Sequence, residues 1–404
     1  MPTLDEARRL ILDRAKPLGT ESVELIDSMG LVTAEDIIAP WDMPLCDNSA
    51  MDGYAVRVAD CNGPAQLRVT GFIPAGSLPT TSLASGCAFK IMTGARIPEG
   101  CDAVVPFEDT DRGDEFVTIN TRVRLGQHIR FTAADVRRDE VVIPAGELIR
   151  APEISMMAAL GKSRVTVFRR PKVAILSTGD ELVAVGEAVV PGKVIDSNGV
   201  TLAASVKDCG ATVEMLGFAR DTRASHVAKM TVGLQADIFI TTAGVSVGER
   251  DLVREVLAEL GMSQVFYGVD VRPGGPTTFG VQDGRLIFCL PGNPVASMIM
   301  FEELIRPAIL KVMGYKRILR PRVQAVLQTS VSKRPGRVKL LRVRLESSGG
   351  TLKAFSPGDQ STGMLKTLTK ADGIAVLPAE RTSFAAGDEV EVHMISNNAV
   401  MREA

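Results

Sequence analysis

Between Lys172 and Met313, apolar runs of strand length alternate with helical stretches, and that alternation leaves few folds open. The apolar runs are 172–176 (KVAIL), 212–219 (TVEMLGFA), 236–242 (ADIFITT), 265–271 (VFYGVDV), 277–281 (TTFGV) and 285–290 (RLIFCL). Helical patterns fall near 199–208, 222–235, 250–260 and 294–313. Strands this continuously apolar are covered on both faces, and connections through helices bring successive strands in parallel. The pattern predicts a doubly wound parallel sheet. Ligands of such sheets bind in the crevice beyond the carboxyl ends of the strands.

The flanking segments read differently. Thr3 and Glu6 form a capping box that opens an amphipathic helix to about Ala15. A second short helix is expected from Thr33 to Ile38, before Pro40 and Pro44 break the chain. From there to about Arg138 the helical period is lost. Short β-rich runs such as 68–73, 102–107 and 115–123, punctuated by Gly and Pro, predict a β domain. A helical pattern returns at 141–161, so the β domain reads as an insertion between the N-terminal helices and this stretch. The last ninety or so residues are again β-rich and predict a small barrel or sandwich. The fold class expected is therefore multi-domain α/β plus β: a doubly wound α/β domain, an inserted β domain, a mixed linking domain and a C-terminal small β barrel.

Length and composition narrow the function. At 404 residues the chain exceeds one ordinary core and suggests about two to four domains. A net charge of -2 argues against binding nucleic acid through bulk charge. No apolar run approaches the roughly 20 residues of a membrane span, and the N-terminus lacks a signal-like apolar segment. Six scattered cysteines without C-x-x-C, and three histidines, speak against disulfide, zinc-ribbon or histidine-built metal frameworks. The expected compartment is the cytoplasm, with no nucleic-acid or membrane partner.

Three strand ends carry loops suited to an anion. They are Ser177-Thr178-Gly179-Asp180-Glu181, the stretch Thr241 to Asp251 with Thr242, Gly244, Ser246 and Gly248, and Pro291-Gly292-Asn293-Pro294. Glycine admits close backbone approach, and a helix start offers free N–H groups to an anion. The acids Asp180, Glu181, Glu249 and Asp251 would repel a bare phosphate unless a divalent cation lay between them. The plainer reading of each loop is a turn with an N-cap. Asp221 reads first as an N-cap. In the β domain, residues 47–55 (DNSAMDGYA) and Ile91-Met92-Thr93-Gly94-Ala95 are polar interruptions that read either as Asx-type turns or as a loop presenting Asp52. Neither a P-loop nor a dinucleotide fingerprint occurs.

Taken in order, DNSAMDGYA (47–55), IMTGARIPEGCDAVVPFED (91–109), STGDEL (177–182), VIDSNG (194–199), GVSVGERD (244–251) and LPGNP (290–294) resemble the molybdopterin molybdenumtransferase family. The resemblance implies four domains: a discontinuous first domain at 1–39 and 138–168, the inserted β domain at 40–137, a molybdopterin-binding α/β domain at 169–316 and a barrel at 317–404. It implies a homodimer whose active cleft lies between the α/β domain of one protomer and the β domain of the other. The implied reaction inserts molybdate into adenylylated molybdopterin with release of AMP, dependent on Mg²⁺. The family's acids fall on Asp52, Asp135, Glu181, Asp221 and Asp251. Asp52, Glu181 and Asp251 would be catalytic, and Glu181, Asp221 and Asp251 would hold the metal. Thr93, Gly94, Ser246, Pro291 and Pro294 also match, and an oxyanion pocket is implied at Arg272 with Arg342 and Ser361. A molybdopterin adenylyltransferase or a client molybdoenzyme would be a further partner.

One segment departs from the pattern. The family commonly reads K-P-G-K-P with another lysine slightly upstream. This chain reads Arg272-Pro273-Gly274-Gly275-Pro276, with no lysine between Arg254 and Lys311. Arginine binds as a fixed fork and does not replace lysine freely. The alternatives are a non-catalytic cofactor carrier or scaffold, and a paralogue that uses tungstate.

Overall fold

The computed structural model describes residues 1–242 and 252–396. Two compact units are present. One comprises Met1–Ala34, Gly146–Arg150 and the described part of Arg164–Ala404, and the other Glu35–Ala145 with Ala151–Ser163.

In the first unit, helix Leu4–Leu12 begins as expected: the Thr3 hydroxyl accepts from Glu6 N–H, and the Glu6 carboxylate accepts from Thr3 N–H. The central sheet has six strands in the order Thr212–Ala219, Lys172–Thr178, Ile238–Thr242, Arg285–Leu290, Thr278–Gln282, Ser263–Tyr267. The first four are parallel. Thr278–Gln282 runs antiparallel to both of its neighbours, Arg285–Leu290 and Ser263–Tyr267, which departs from the all-parallel expectation. The cause is local. Asp283 and Gly284 both have positive φ, at 48° and 81°, and a two-residue turn of that kind can only return the chain as a hairpin. Periodicity detects apolar strands but does not report their direction. The core packs Leu176, Phe239, Ile287 and Cys289 of the sheet against Met230, Val253 and Leu257 of the helices.

The C-terminal strands Arg322–Leu327, Val338–Ser348, Thr351–Phe355, Gly373–Leu377 and Glu389–Met394 close into a five-stranded barrel. Closure comes from Val338–Ser348 pairing on both sides, with Thr351–Phe355 and with Gly373–Leu377. A closed barrel leaves no sheet edge for aggregation. The short strand Val271–Arg272 adds in parallel to Val338–Lys339, placing Arg272 beside the barrel.

The second unit holds a five-stranded sheet in the order Ala103–Pro106, Gly53–Val56, Cys87–Ile91, Ala65–Ile73, Phe116–Ile119. Gly53 is required there: a Cβ would stand 2.0 Å from the Val105 carbonyl oxygen. The helix expected at 33–38 does not form. Thr33 bridges Val167, and Ile37–Ile38 pairs with Val141–Ile143, as β-branched residues before a proline favour. The helical pattern at 141–161 resolves into that strand and helix Ala151–Ala159, which lies in the second unit. Among the described residues no helix is long and apolar enough to cross a membrane.

Candidate functional site

Strand Lys172–Thr178 ends in buried hydroxyls. Ser177 Oγ donates to Asp196 Oδ1 at 2.9 Å, and Thr242 Oγ1 donates to Ser177 Oγ at 3.3 Å. Thr178 Oγ1 donates to the Thr242 carbonyl at 3.2 Å, so the ends of two neighbouring strands are tied together. The same Asp196 oxygen accepts from Gly199 N–H at 3.0 Å and caps helix Ser197–Asp208. Asp196 was missed as a site residue. Its signal was the Asp-Ser-Asn string ahead of a helix, which reads as an ordinary N-cap.

Beyond these hydroxyls the acids gather. Asp180 N–H donates to Asp221 Oδ2 at 3.3 Å, and Asp221 N–H donates to Asp180 Oδ1 at 3.2 Å. This reciprocal pair holds two exposed carboxylates next to each other. The N-cap of helix Arg223–Gly233 is Thr222, whose hydroxyl accepts from Ser225 N–H, so Asp221 is not the cap that the sequence suggested. Arg220 Nη1 and Lys193 Nζ donate to the Asp180 carbonyl at 3.1 and 2.6 Å, a basic support that the motifs did not signal. Glu181 is exposed, and its carboxylate lies over Gly179, where a Cβ would meet it at 2.4 Å. Gly179 has φ 142°, so the backbone selects glycine. Among the described residues no group of three or more His, Cys, Asp or Glu is placed to hold a metal ion. Gly244, Ser246, Gly248, Glu249 and Asp251 lie outside the described residues.

The third loop joins the same region. Asn198 Nδ2 donates to the Gly292 carbonyl at 2.8 Å, linking Pro291–Pro294 to the helix that Asp196 caps. Pro294 begins the next helix, with Asn293 as N-cap residue. Asn293 Nδ2 donates to Thr362 Oγ1 at 2.9 Å and so ties this loop to the barrel.

Arg272 lines an open cavity of about 660 Å³ with Ser332, Lys333, Arg334, Arg337, Lys339 and Ser361. Arg342 is absent from its lining. At 1% exposure it is buried, and its guanidinium donates to the carbonyls of Asp359, Ser361 and Met364 and to Gln360 Oε1. It shapes the Ser361 loop from beneath. Burial holds Arg342 below the usual arginine range. Burial, and then the charges of Arg272 and Lys333, likewise lower Lys339.

In the second unit Asp52 and Thr93, 41 residues apart, meet. Asp52 Oδ1 accepts from both Thr93 N–H and Thr93 Oγ1, each at 2.7 Å. The backbone bond first, then the hydroxyl, holds the Asp52 carboxyl below the usual aspartate range. Gly94 follows with φ 79°. Asp135 is exposed near this loop's neighbours in sequence, with its N–H on the Met43 carbonyl at 3.0 Å.

Fold and site together define a class: a multi-domain protein whose α/β domain presents hydroxyls and acids at its strand ends and whose barrel adds a basic cavity. Comparison with known proteins is specific. The MoeA N-terminal region (domain I and II) matches residues 2–161, a probable molybdopterin binding domain matches 174–311, and the MoeA C-terminal region (domain IV) matches 324–395. Molybdopterin molybdenumtransferase 2 of Mycobacterium tuberculosis is 34% identical over 97% of this chain and 99% of its own length. The molybdopterin molybdenumtransferase of Haemophilus influenzae is 35% identical over 97% of this chain and 98% of its own. Two crystal structures of the molybdopterin biosynthesis moeA protein of Pyrococcus horikoshii superimpose with TM-scores of 0.85 and 0.82, at 30% and 28% identity. They cover 98% of this chain and 99% and 100% of theirs. The chain belongs to the molybdopterin molybdenumtransferase family.

Proposed function

We propose that this protein is a cytoplasmic molybdopterin molybdenumtransferase that inserts molybdate into adenylylated molybdopterin and releases AMP. The observation that carries the reading is the convergence of hydroxyls and acids from separate segments at the strand ends: Ser177, Thr178, Asp180, Glu181, Asp221 and Thr242. Full-length relatives of the same name support it. The four-domain division at 1–39 with 138–168, 40–137, 169–316 and 317–404 belongs to the same proposal, as does a homodimer. Light scattering should then give twice the 43.1 kDa of one chain; a monomer mass would remove the dimer from the account.

In this reading Ser177, Thr178, Gly179, Thr242 and the Pro291–Pro294 loop bind the pterin end and its phosphates, with Gly244, Ser246 and Gly248 in the intervening loop. Thr93 holds Asp52 ready, and Gly94 follows it on the substrate side. Asp52 is ionised and acceptor-only at neutral pH, as any aspartate titrating well below neutrality is, and the Thr93 bonds favour that form further. Arg272 and Ser361 face the oxyanion, and Arg342 keeps Ser361 in place. Exposed carboxylate oxygens at Asp221 and Glu181, with Asp251, suit a hard dication such as Mg²⁺. When bound, Mg²⁺ would offset repulsion between these carboxylates and a phosphoanhydride. AMP release should therefore stop in EDTA and return on adding Mg²⁺; undiminished release in chelator would remove the metal from the reading.

A further inference from the structure

The cavity beside Arg272 is lined by five cations, Arg272, Lys333, Arg334, Arg337 and Lys339. Among the described residues their ion pairs reduce to one, Arg337 Nε with Asp270 Oδ1 at 3.4 Å. Lys333 Nζ donates to the carbonyls of Arg337 and Ala379 at 3.0 Å each, which braces the turn bearing Arg334. Among the described residues Lys339 Nζ donates to the Ser332 carbonyl alone, at 3.4 Å.

Arg272 and Lys339 are register partners on adjacent parallel strands. Like charges so placed repel each other, and among the described residues no carboxylate pairs with either. An anion between them would. Gly275 adds a second observation. It is outside the left-handed region, and a Cβ built on it would stand 3.6 Å from Arg337 Nη1, in ordinary contact. The barrel's arginine thus lies where a side chain at 275 would begin.

We propose that Arg337 and Lys339 of the barrel bind the tetrahedral oxyanion, supplying from strand Val338–Ser348 and the turn before it the charge that Gly275 cannot. Two cations flanking Arg272 suit a dianion, with Ser361 Oγ as a neutral donor. Arg334, exposed and without an ion pair among the described residues, raises the local potential that draws the anion in. Molybdate as the particular dianion rests on the transferase reading; a tetrahedral dianion in this cavity rests on the cavity alone.

The test is calorimetric titration of the full chain with molybdate, and separately with inorganic phosphate. Wild type should bind molybdate, and Lys339→Met and Arg337→Ala should each weaken it about tenfold. Gly275→Lys placed in the Arg337→Ala background should recover most of that loss, a gain that a merely structural role would not produce. If Arg337→Ala does not fold, Lys339→Met, which breaks no ion pair, decides alone. Unchanged molybdate affinity in the folded variants, or no gain from Gly275→Lys, would overturn the proposal. Binding of phosphate in place of molybdate, weakened by the same variants, would sustain a tetrahedral-dianion site and assign it to the substrate's phosphate. Weakened molybdate binding without AMP release by wild type would sustain this inference and end the transferase reading. AMP release with a molybdate KM indifferent to both variants would do the reverse.

Discussion

Asp47 and Asp52 are held by the same two bonds. Each places one carboxylate oxygen on a threonine N–H and hydroxyl, Asp47 on Thr132 at 2.7 and 2.8 Å, Asp52 on Thr93 at 2.7 Å twice. The clamp is therefore a device of the fold, and a clamp alone confers no catalytic role. What separates the two is the family pattern, which falls on Asp52. Asp52→Asn should lower AMP release at least about a hundredfold, in the range of losing a positioned acid or base, and leave the melting temperature near wild type. Asp47→Asn should leave turnover within a few-fold of wild type. Equal loss in both variants, or in neither, would return Asp52 to the role of a turn clamp. The sequence displayed Asp52 and Thr93 as two separate polar interruptions; their meeting was not legible, because 40 residues of strand and loop lie between them. Arg342 was legible as a charge but not as a buried one, since its partners are backbone carbonyls and the side chain of Gln360, none of which forms a sequence pattern with it.

Elements of the first unit are joined by a buried ionic chain that the motifs gave no reason to expect. Arg8 Nη2 on helix Leu4–Leu12 bonds Glu303 Oε2 at 2.7 Å, and His393 Nδ1 on the last barrel strand lies 2.8 Å from Glu303 Oε1. His393 Nε2 lies 3.1 Å from Glu391 Oε1, and Arg322 adds a nearby positive charge. Burial pushes the His393 pKa down, but the hydrogen bond and charge of Glu303, with help from Glu391, outweigh it and the net shift is upward. A raised folded-state value means the protonated form is favoured by folding. The stability it contributes is complete below an unfolded pKa of about 6.5 and is lost as pH rises through the higher folded value. Thermal melts should therefore show wild type losing stability relative to His393→Gln as pH rises through that window, from about 6.5 to the higher folded value. Parallel pH curves for the two proteins would mean that His393 does not carry the dependence. At this scale the apolar strands and the first capping box were readable from periodicity and capping chemistry. The hairpin at Asp283–Gly284 was also written in the sequence, as a two-residue Asp-Gly turn between apolar runs, and an all-parallel sheet was the wrong inference from it. The Arg272–Lys339 neighbourhood was not readable, because strand register across 67 residues is set by packing.

For the molecule as a whole, family segments run from residue 2 to 395, and the relatives match over nearly their full lengths. The departure from the family pattern noted in the sequence lies in the loop Arg272–Pro276. That distribution favours a working transferase over a cofactor carrier, because a carrier would need no acids at Asp52, Asp180 and Asp221. The measurement that tests this most directly is AMP release from adenylylated molybdopterin by the purified full chain, with and without molybdate, in the presence of Mg²⁺. The transferase account predicts release that depends on molybdate, with a product that activates an apo-molybdoenzyme. Tight binding of the finished cofactor, with no AMP released under any of these conditions, would contradict it.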